Sequence, residues 1–283
     1  MARTVVIVGA GGKMGARAAE KLGRHSQYRV LLCESNPERA RSVEERGFKV
    51  TPPESALAQA DFVVMAVPDA LIGRIAHELV PDIQKDGTLI MLDAAAAYVG
   101  ELPRRDDLTM MITHPCHPPF FADQATPEAR RDYFGGIAVQ DILVSLVHGS
   151  ESNFAEGTEL CKAIFAPVKK AHRVTPEQFA VLEPAMSEIV VASAACLMKA
   201  SLDEAIKRGV PREAAEAFMA GHAQIAMAIA FRAEKSPFSD AAQLAIKWGT
   251  QEIIKPDWRK IFEPETLKAA IQVMLHPEKP PVD

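Results

Sequence analysis

A doubly wound parallel α/β sheet followed by an all-α domain is the fold class this sequence predicts, on three observations. Short runs that are apolar on both faces alternate with helix-forming stretches through the first half of the chain. The first run, Val5-Val6-Ile7-Val8, stops at a glycine cluster, Gly9, Gly11, Gly12 and Gly15, and leads into a helix. From Ser152 onward the strands give out and the sequence becomes alanine-rich and helical. Residues 1–150 are therefore expected to form a Rossmann dinucleotide-binding domain, and residues 151–283 an all-α substrate and dimerisation domain.

Each element follows in order. Val5-Val6-Ile7-Val8 is a buried strand. The glycines after it let backbone N–H groups approach a pyrophosphate at a helix N-terminus, with Lys13 and Met14 opening that helix. The spacing overlays GxxGxxG and GxGxxxG and departs from the strict GxGxxG form. A second strand, Tyr28-Arg29-Val30-Leu31-Leu32-Cys33, ends at Glu34, 19 residues past Gly15. A carboxylate there accepts hydrogen bonds from ribose hydroxyls and repels a 2′-phosphate, which points to NAD, with Asn36 beside it. Arg39 argues the other way, because a guanidinium pairs with the phosphate of NADP.

Phe48-Lys49-Val50 reads as a short strand and Pro53-Glu54-Ser55-Ala56-Leu57 as a short helix. Phe62-Val63-Val64-Met65-Ala66-Val67 is a buried strand ended by Pro68 and followed by a helix through residues 71–76. Thr88-Leu89-Ile90-Met91-Leu92-Asp93 and Leu108-Thr109-Met110-Met111-Ile112-Thr113 are further buried strands, and residues 137–148 one more. Ligands of such sheets lie beyond the carboxyl ends of the strands. Val67, Pro68, Asp69 and Asp93 should thus line a cofactor crevice, with His114 near the nicotinamide. In the second half, Thr175-Pro176-Glu177-Gln178 starts a helix that runs to a stop at Gly209 and Pro211. Helices over residues 211–234 and from Ser239 follow.

The net charge of −5 offers no electrostatic footprint for nucleic acid or an anionic membrane. No very long uninterrupted apolar stretch marks a bilayer span. The N-terminus enters a strand at once, which argues against a signal peptide. Four scattered cysteines without a CxxC pair suit reduced thiols in the cytoplasm. A proline-rich tail, residues 276–281, is expected to fray.

Thr113-His114-Pro115-Cys116-His117-Pro118-Pro119 carries the chemistry. Oxidising an alcohol needs a base for the hydroxyl proton and a donor to polarise the developing carbonyl, and His114 and His117 suit both. Nothing adjacent in sequence activates Cys116 as a nucleophile. Glu183 and Glu188 interrupt an apolar helix, and on a straight helix they would stand ~140° apart. Pro184 disfavours helical geometry at Glu183, so a kink or restart would let the two converge. They are either solvated on an outer face or at work in a cleft. His222, on the apolar stripe of its helix with Gly221 before it, is either a core residue or a substrate contact. A divalent metal on His114 and Glu188 is a further expectation.

A glycine loop of this type, a strand ending Ala66-Val67-Pro68 and an all-α second half resemble the 6-phosphogluconate and β-hydroxyacid dehydrogenase superfamily. The segments Thr113-His114-Pro115-Cys116-His117-Pro118-Pro119 and Leu182-Glu183-Pro184-Ala185-Met186-Ser187-Glu188 are similar to those of bacterial D-apionate oxidoisomerases, a likeness covering nearly the whole chain. The resemblance implies NAD-dependent conversion of a branched sugar acid, D-apionate, to 3-oxo-isoapionate. The Ala-rich helices of the second half pack closely, and from them a homodimer is expected. The KxxxN pattern that supplies lysine chemistry in β-hydroxyacid dehydrogenases is absent, since Lys199 is followed by Asp203 at the fourth position. Histidine and glutamate must then take over. An NADP-linked biosynthetic reductase or dehydrogenase of prephenate or imine type, and a non-catalytic nucleotide-binding sensor, are the competing readings.

Overall fold

The computed structural model describes residues 2–277, so most of the proline-rich tail lies outside the described residues. The first of two compact units comprises residues up to Ala180 together with those from Lys268 onward. Its elements are β1 (Arg3–Val8), α1 (Lys13–Leu22), β2 (Tyr28–Cys33), α2 (Pro37–Glu45), α3 (Pro53–Leu57), β3 (Phe62–Met65), α4 (Asp69–Leu79) and β4 (Thr88–Met91). Then come α5 (Ala95–Tyr98), β5 (Thr109–Pro115), α6 (Pro127–Arg130), β6 (Gln140–His148), α7 (Glu151–Phe165), β7 (Val168–Arg173) and α8 (Pro176–Ala180).

The seven strands form one sheet in the order β2-β1-β3-β4-β5-β6-β7. The first five are parallel, as expected. β6 runs antiparallel to β5, and β7 runs parallel to β6. That reversal departs from the all-parallel expectation. The connection from β5 to β6 holds only the four-residue α6, and antiparallel neighbours need no crossover helix. Residues 48–50 make an isolated bridge, Leu32 with Val50, in place of the expected strand.

Alternate strand residues feed two cores. Val5, Ile7, Val64, Ile90 and Met111 pack with Ala18, Leu22, Phe154, Leu160 and Phe165 on one face. Val6, Val63, Met65, Leu89, Met91 and Ile112 pack with Ile72, Ala76 and Phe179 on the other. Helices on both faces explain why the strands read as continuous apolar runs. The division after Ala180 falls later than the expected boundary at residue 150, because α7 and β7 belong to the sheet.

The second unit, Val181–Leu267, is helical. Val181–Ala192 is a π-helical segment containing Pro184. α9 (Ser193–Lys207), α10 (Arg212–Ala230) and α11 (Asp240–Ile253) follow, and α12 (Pro264–Leu275) leads back into the first unit. Gly209 adopts φ +96° at the expected helix stop. The helical stretch Pro176–Lys207 has 32 residues and a mean hydropathy of 1.6 over its most apolar window, enough by length and composition to cross a membrane. This contrasts with the expectation that no very long uninterrupted apolar stretch marks a bilayer span.

Candidate active site

The strand order places a topological switch point between β1 and β3, where consecutive connections leave in opposite directions and a crevice opens beyond the strand ends. The 9–15 loop occupies that position. Gly9 sits at φ +81°, and a Cβ there would lie 2.4 Å from the Ala66 carbonyl oxygen at the end of β3. A Cβ on Gly15 would come within 2.2 Å of the Gly9 carbonyl oxygen, so only glycine lets α1 start this close to the strand. Gly12 caps α1 without a side-chain hydrogen bond, and the first-turn amides, Lys13 and Met14 among them, have no partner within the helix. This is a cradle for a pyrophosphate, and the residues fit a dinucleotide.

Glu34 follows β2 and reaches back across the loop. Its Oε2 accepts from the Gly11 N–H at 2.9 Å and its Oε1 from the Asn36 N–H at 3.0 Å. Asn36 differs from expectation: its side chain caps α2, accepting from the N–H groups of Glu38 and Arg39. Arg39 is exposed. Val67 and Pro68 form the turn after β3, and Asp69 begins α4.

His114 and His117 stand at the carboxyl end of β5 with ring centroids 5.8 Å apart. His114 Nδ1 donates to the Pro115 carbonyl at 2.9 Å and His117 Nδ1 to the Phe134 carbonyl at 3.0 Å. Assigned from those bonds, the neutral tautomer of each imidazole carries its proton on Nδ1. Burial, and then the neighbouring His117, push the His114 pKa below the ordinary imidazole value, against the opposing charge of Asp93. Asp93 is itself buried and accepts from the Ala95 N–H at 2.7 Å. His117 adopts φ +59°, a left-handed conformation costly for a non-glycine residue and concentrated at functional sites.

β5 lies three strand spacings from β1, about 14 Å. The 132–138 loop bridges the gap, and sequence reasoning missed it. Asp132 ties it by accepting from the N–H groups of Gly135, Ile137 and Ala138, and Lys21 Nζ donates to the Gly136 carbonyl. The Phe134 ring lies 3.5 Å from Lys13 Nζ and 5.3 Å from the His117 ring. The Arg17 guanidinium, buried and without a hydrogen bond, sits between the Phe134 and Phe165 rings at 5.6 and 5.8 Å. The double glycine 135-136 after an aromatic was the only available signal.

Comparison with known proteins agrees with this geometry. A family model described as phosphogluconate dehydrogenase (decarboxylating) C-terminal matches residues 122–275, and one described as NADP oxidoreductase coenzyme F420-dependent matches residues 4–96. A D-apionate oxidoisomerase from Blautia hydrogenotrophica is 42% identical over 98% of this chain and 98% of its own length. The D-apionate oxidoisomerase of Rhizobium rhizogenes is also 42% identical, over 95% of this chain and 98% of its own. The chain belongs to the D-apionate oxidoisomerase family. A solved structure of a semialdehyde dehydrogenase NAD-binding protein from Cupriavidus necator, in complex with calcium and NAD, superposes with a TM-score of 0.93. It is 40% identical and covers 97% of this chain and 100% of that one.

In this member of the oxidoisomerase family the second unit carries the remaining candidates. Glu183 and Glu188 lie in the π-helical segment, whose i→i+5 hydrogen bonds bring residues five apart onto one face. The irregularity expected at Pro184 takes the form of a widened helix. Glu183 is buried and Glu188 exposed. His222 is exposed, its ring stacked 3.8 Å from Phe218 and its Nδ1 donating to the Phe218 carbonyl, which overturns the core reading. α10 buries only Ala215, and a Cβ at Gly221 would meet nothing within 4 Å. Lys199 is paired with Asp203. Among the described residues no three His, Cys, Asp or Glu side chains gather as a metal site. An imidazole and one carboxylate do not fit calcium, which takes about six to eight oxygen ligands.

Proposed function

We propose that the chain is an NAD-dependent oxidoreductase acting on a small hydroxylated sugar acid, with the D-apionate oxidoisomerase reaction as its activity. One observation carries the reading: Phe134 touches both Lys13 of the dinucleotide loop and His117 of the histidine pair, linking the cofactor cradle to the acid–base groups. The relatives' printed names and the NAD in the Cupriavidus necator neighbour support it.

NAD, when bound, accepts the hydride. The chain's own residues do the rest. The 9–15 loop and Glu34 hold the dinucleotide. His114, neutral at physiological pH, takes the hydroxyl proton on Nε2. His117 lies beside it to exchange that proton or, once protonated, to polarise the carbonyl oxygen. Glu183, Glu188 and His222 are assigned to orienting the substrate, to be tested by Glu183→Gln, Glu188→Gln and His222→Asn.

We further propose a cytoplasmic homodimer. In the single chain α9 and α11 bury no residue, and Phe218, Leu244 and Trp248 are 67, 70 and 65% exposed. Apolar surface of that extent is covered by association in a soluble protein. Light scattering at twice the chain mass is the expected result, and a monomer overturns the dimer.

The test of function is NADH formation from NAD and a panel of sugar acids including D-apionate, with and without EDTA. Turnover of D-apionate is expected, unaffected by EDTA. Silence across the panel with NAD still bound overturns the sugar-acid reading.

A further inference from the structure

The histidine turn borders a second feature that the proposed chemistry leaves unused. A cavity of about 600 Å³ is lined in part by Cys116, His117, Gln124, Asp141, Lys169 and His172, all within the first unit. Small-molecule sites measure roughly 300–1,000 Å³. The strand reversal creates it. β6 starts where β5 ends, because the two are antiparallel, and β7 starts there too, because it is parallel to β6. The first residues of β6 and β7 are thereby delivered beside the histidines of β5.

The register makes the placement specific. His114 pairs with Leu143, and Leu143 pairs with His172, so the two imidazoles sit in one cross-strand row on one face. Two strand spacings separate them by about 10 Å. His172 Nε2 donates to Asp141 Oδ2 at 2.8 Å, which orients the ring and leaves the lone pair on Nδ1. Lys169, three residues earlier on β7 across the register irregularity between Gln140 and Ile142, is exposed and adds an ammonium to the lining. Asp123 and Gln140 complete the polar lining, with Gln140 Oε1 buried and without a hydrogen bond. Gln124 is bonded in both directions to the Val139 backbone, and burial and the Asp141 charge push the Cys116 thiol up to about 11, where it is no nucleophile.

We propose that this cavity receives the carboxylate and hydroxyls of the sugar-acid substrate, with Lys169 as counter-ion and His172, held by Asp141, as a second proton-exchanging residue. The proposal rests on the oxidoreductase reading above. An oxidoisomerase needs such a group. After the first alcohol is oxidised, the isomerising half is redox-neutral. A proton leaves the neighbouring hydroxyl, whose oxygen becomes the new carbonyl. One carbon–carbon bond breaks there and forms at the old carbonyl carbon, and the old carbonyl oxygen takes up a proton. His172 accepts the first proton and returns it in the last step, while His114 serves the oxidation.

The experiment uses the full chain and its Lys169→Ala, Lys169→Arg, His172→Asn and Asp141→Asn variants, with NAD and D-apionate. NAD affinity by titration should match the wild type in all four, showing an intact fold. Lys169→Ala should raise the KM for the acid about tenfold with kcat changed little, and Lys169→Arg should recover most of it. His172→Asn should lower the rate of rearranged-product formation on the order of 10²-fold while NADH still forms, releasing oxidised, unrearranged acid. Asp141→Asn should do so more weakly. A wild type that turns over D-apionate beside variants indistinguishable from it overturns the pocket alone. A wild type that binds NAD and oxidises no acid overturns the function and the pocket with it.

Discussion

Replacing Glu34 with alanine tests the cofactor assignment most directly. Its carboxylate makes two charge-assisted bonds, to the N–H groups of Gly11 and Asn36, and so sets the shape of the dinucleotide loop. A hydrogen bond to a charged group contributes about 1.5–3 kcal/mol, and the half-exposed position favours the lower value. Losing a ribose contact of that strength weakens NAD about tenfold. For NADP a second effect has the opposite sign. Like charges 4 Å apart near a surface repel by about 4 kcal/mol at an effective dielectric of 20, and screening here reduces that to about 2 kcal/mol. Removing the repulsion therefore strengthens NADP by about thirtyfold. Together the NAD/NADP ratio of kcat/KM should move toward NADP by about 300-fold in Glu34→Ala. The assay is initial-rate turnover of the sugar acid with each cofactor varied in turn. A wild type that already prefers NADP, or a ratio that moves less than about threefold, refutes the argument and hands the decision to Arg39.

Three further outcomes are expected. Gly15→Ala puts a methyl 2.2 Å from one backbone atom and 2.8 Å from another, an overpacking cost of about 1–3 kcal/mol that the backbone cannot relieve, so calorimetry should find NAD binding abolished and Tm lowered. His114→Asn should cut kcat on the order of 10²–10⁴-fold with NAD affinity intact. Because burial lowers the His114 pKa, the unfolded chain takes up this proton first as pH falls, so both stability and the acid limb of kcat/KM should fail below the ordinary 6.5, and a limb above 6.5 would exclude this base. Cys116 should resist alkylation at neutral pH, with a thiolate fraction on the order of 10⁻⁴, and its rate should climb toward pH 11 as followed by mass spectrometry.

What was legible in the sequence had a backbone cause. Gly9 and Gly15 are required by contacts of 2.4 and 2.2 Å that no other residue survives, and such positions announce themselves by composition. Strands covered on both faces are apolar throughout, which made β1, β3, β4 and β5 readable. β7 was hidden for the converse reason. It is an edge strand with the sequence Val-Lys-Lys-Ala-His-Arg, and edge strands carry charge to discourage pairing with another chain. The domain boundary moved as a result. Asn36 shows a different limit: Asn beside the acidic residue fits a ribose contact and a helix cap equally well, and only geometry assigns the cap. Phe134 was invisible because its significance lies in bridging Lys13, 121 positions before it, and His117, 17 positions before it.

The absence of the KxxxN pattern acquires a physical meaning once Lys199 and the histidines are compared. A lysine serves as a base only if something drives off its proton, and burial is the usual means. Lys199 is exposed, unlike such a base, and its ammonium is paired with Asp203. His114 starts from a pKa already near neutrality, is pushed lower by burial at the end of β5, and has its Nδ1 proton fixed by a carbonyl. The replacement also changes what the site can do. A lone lysine carries one proton for one oxidation, whereas His114 and His172 stand in a single cross-strand row about 10 Å apart, and on the proposal above they divide the oxidation and the carbon shift between them. If His172→Asn leaves oxidation intact and stops only the rearrangement, the division of labour is established in one measurement.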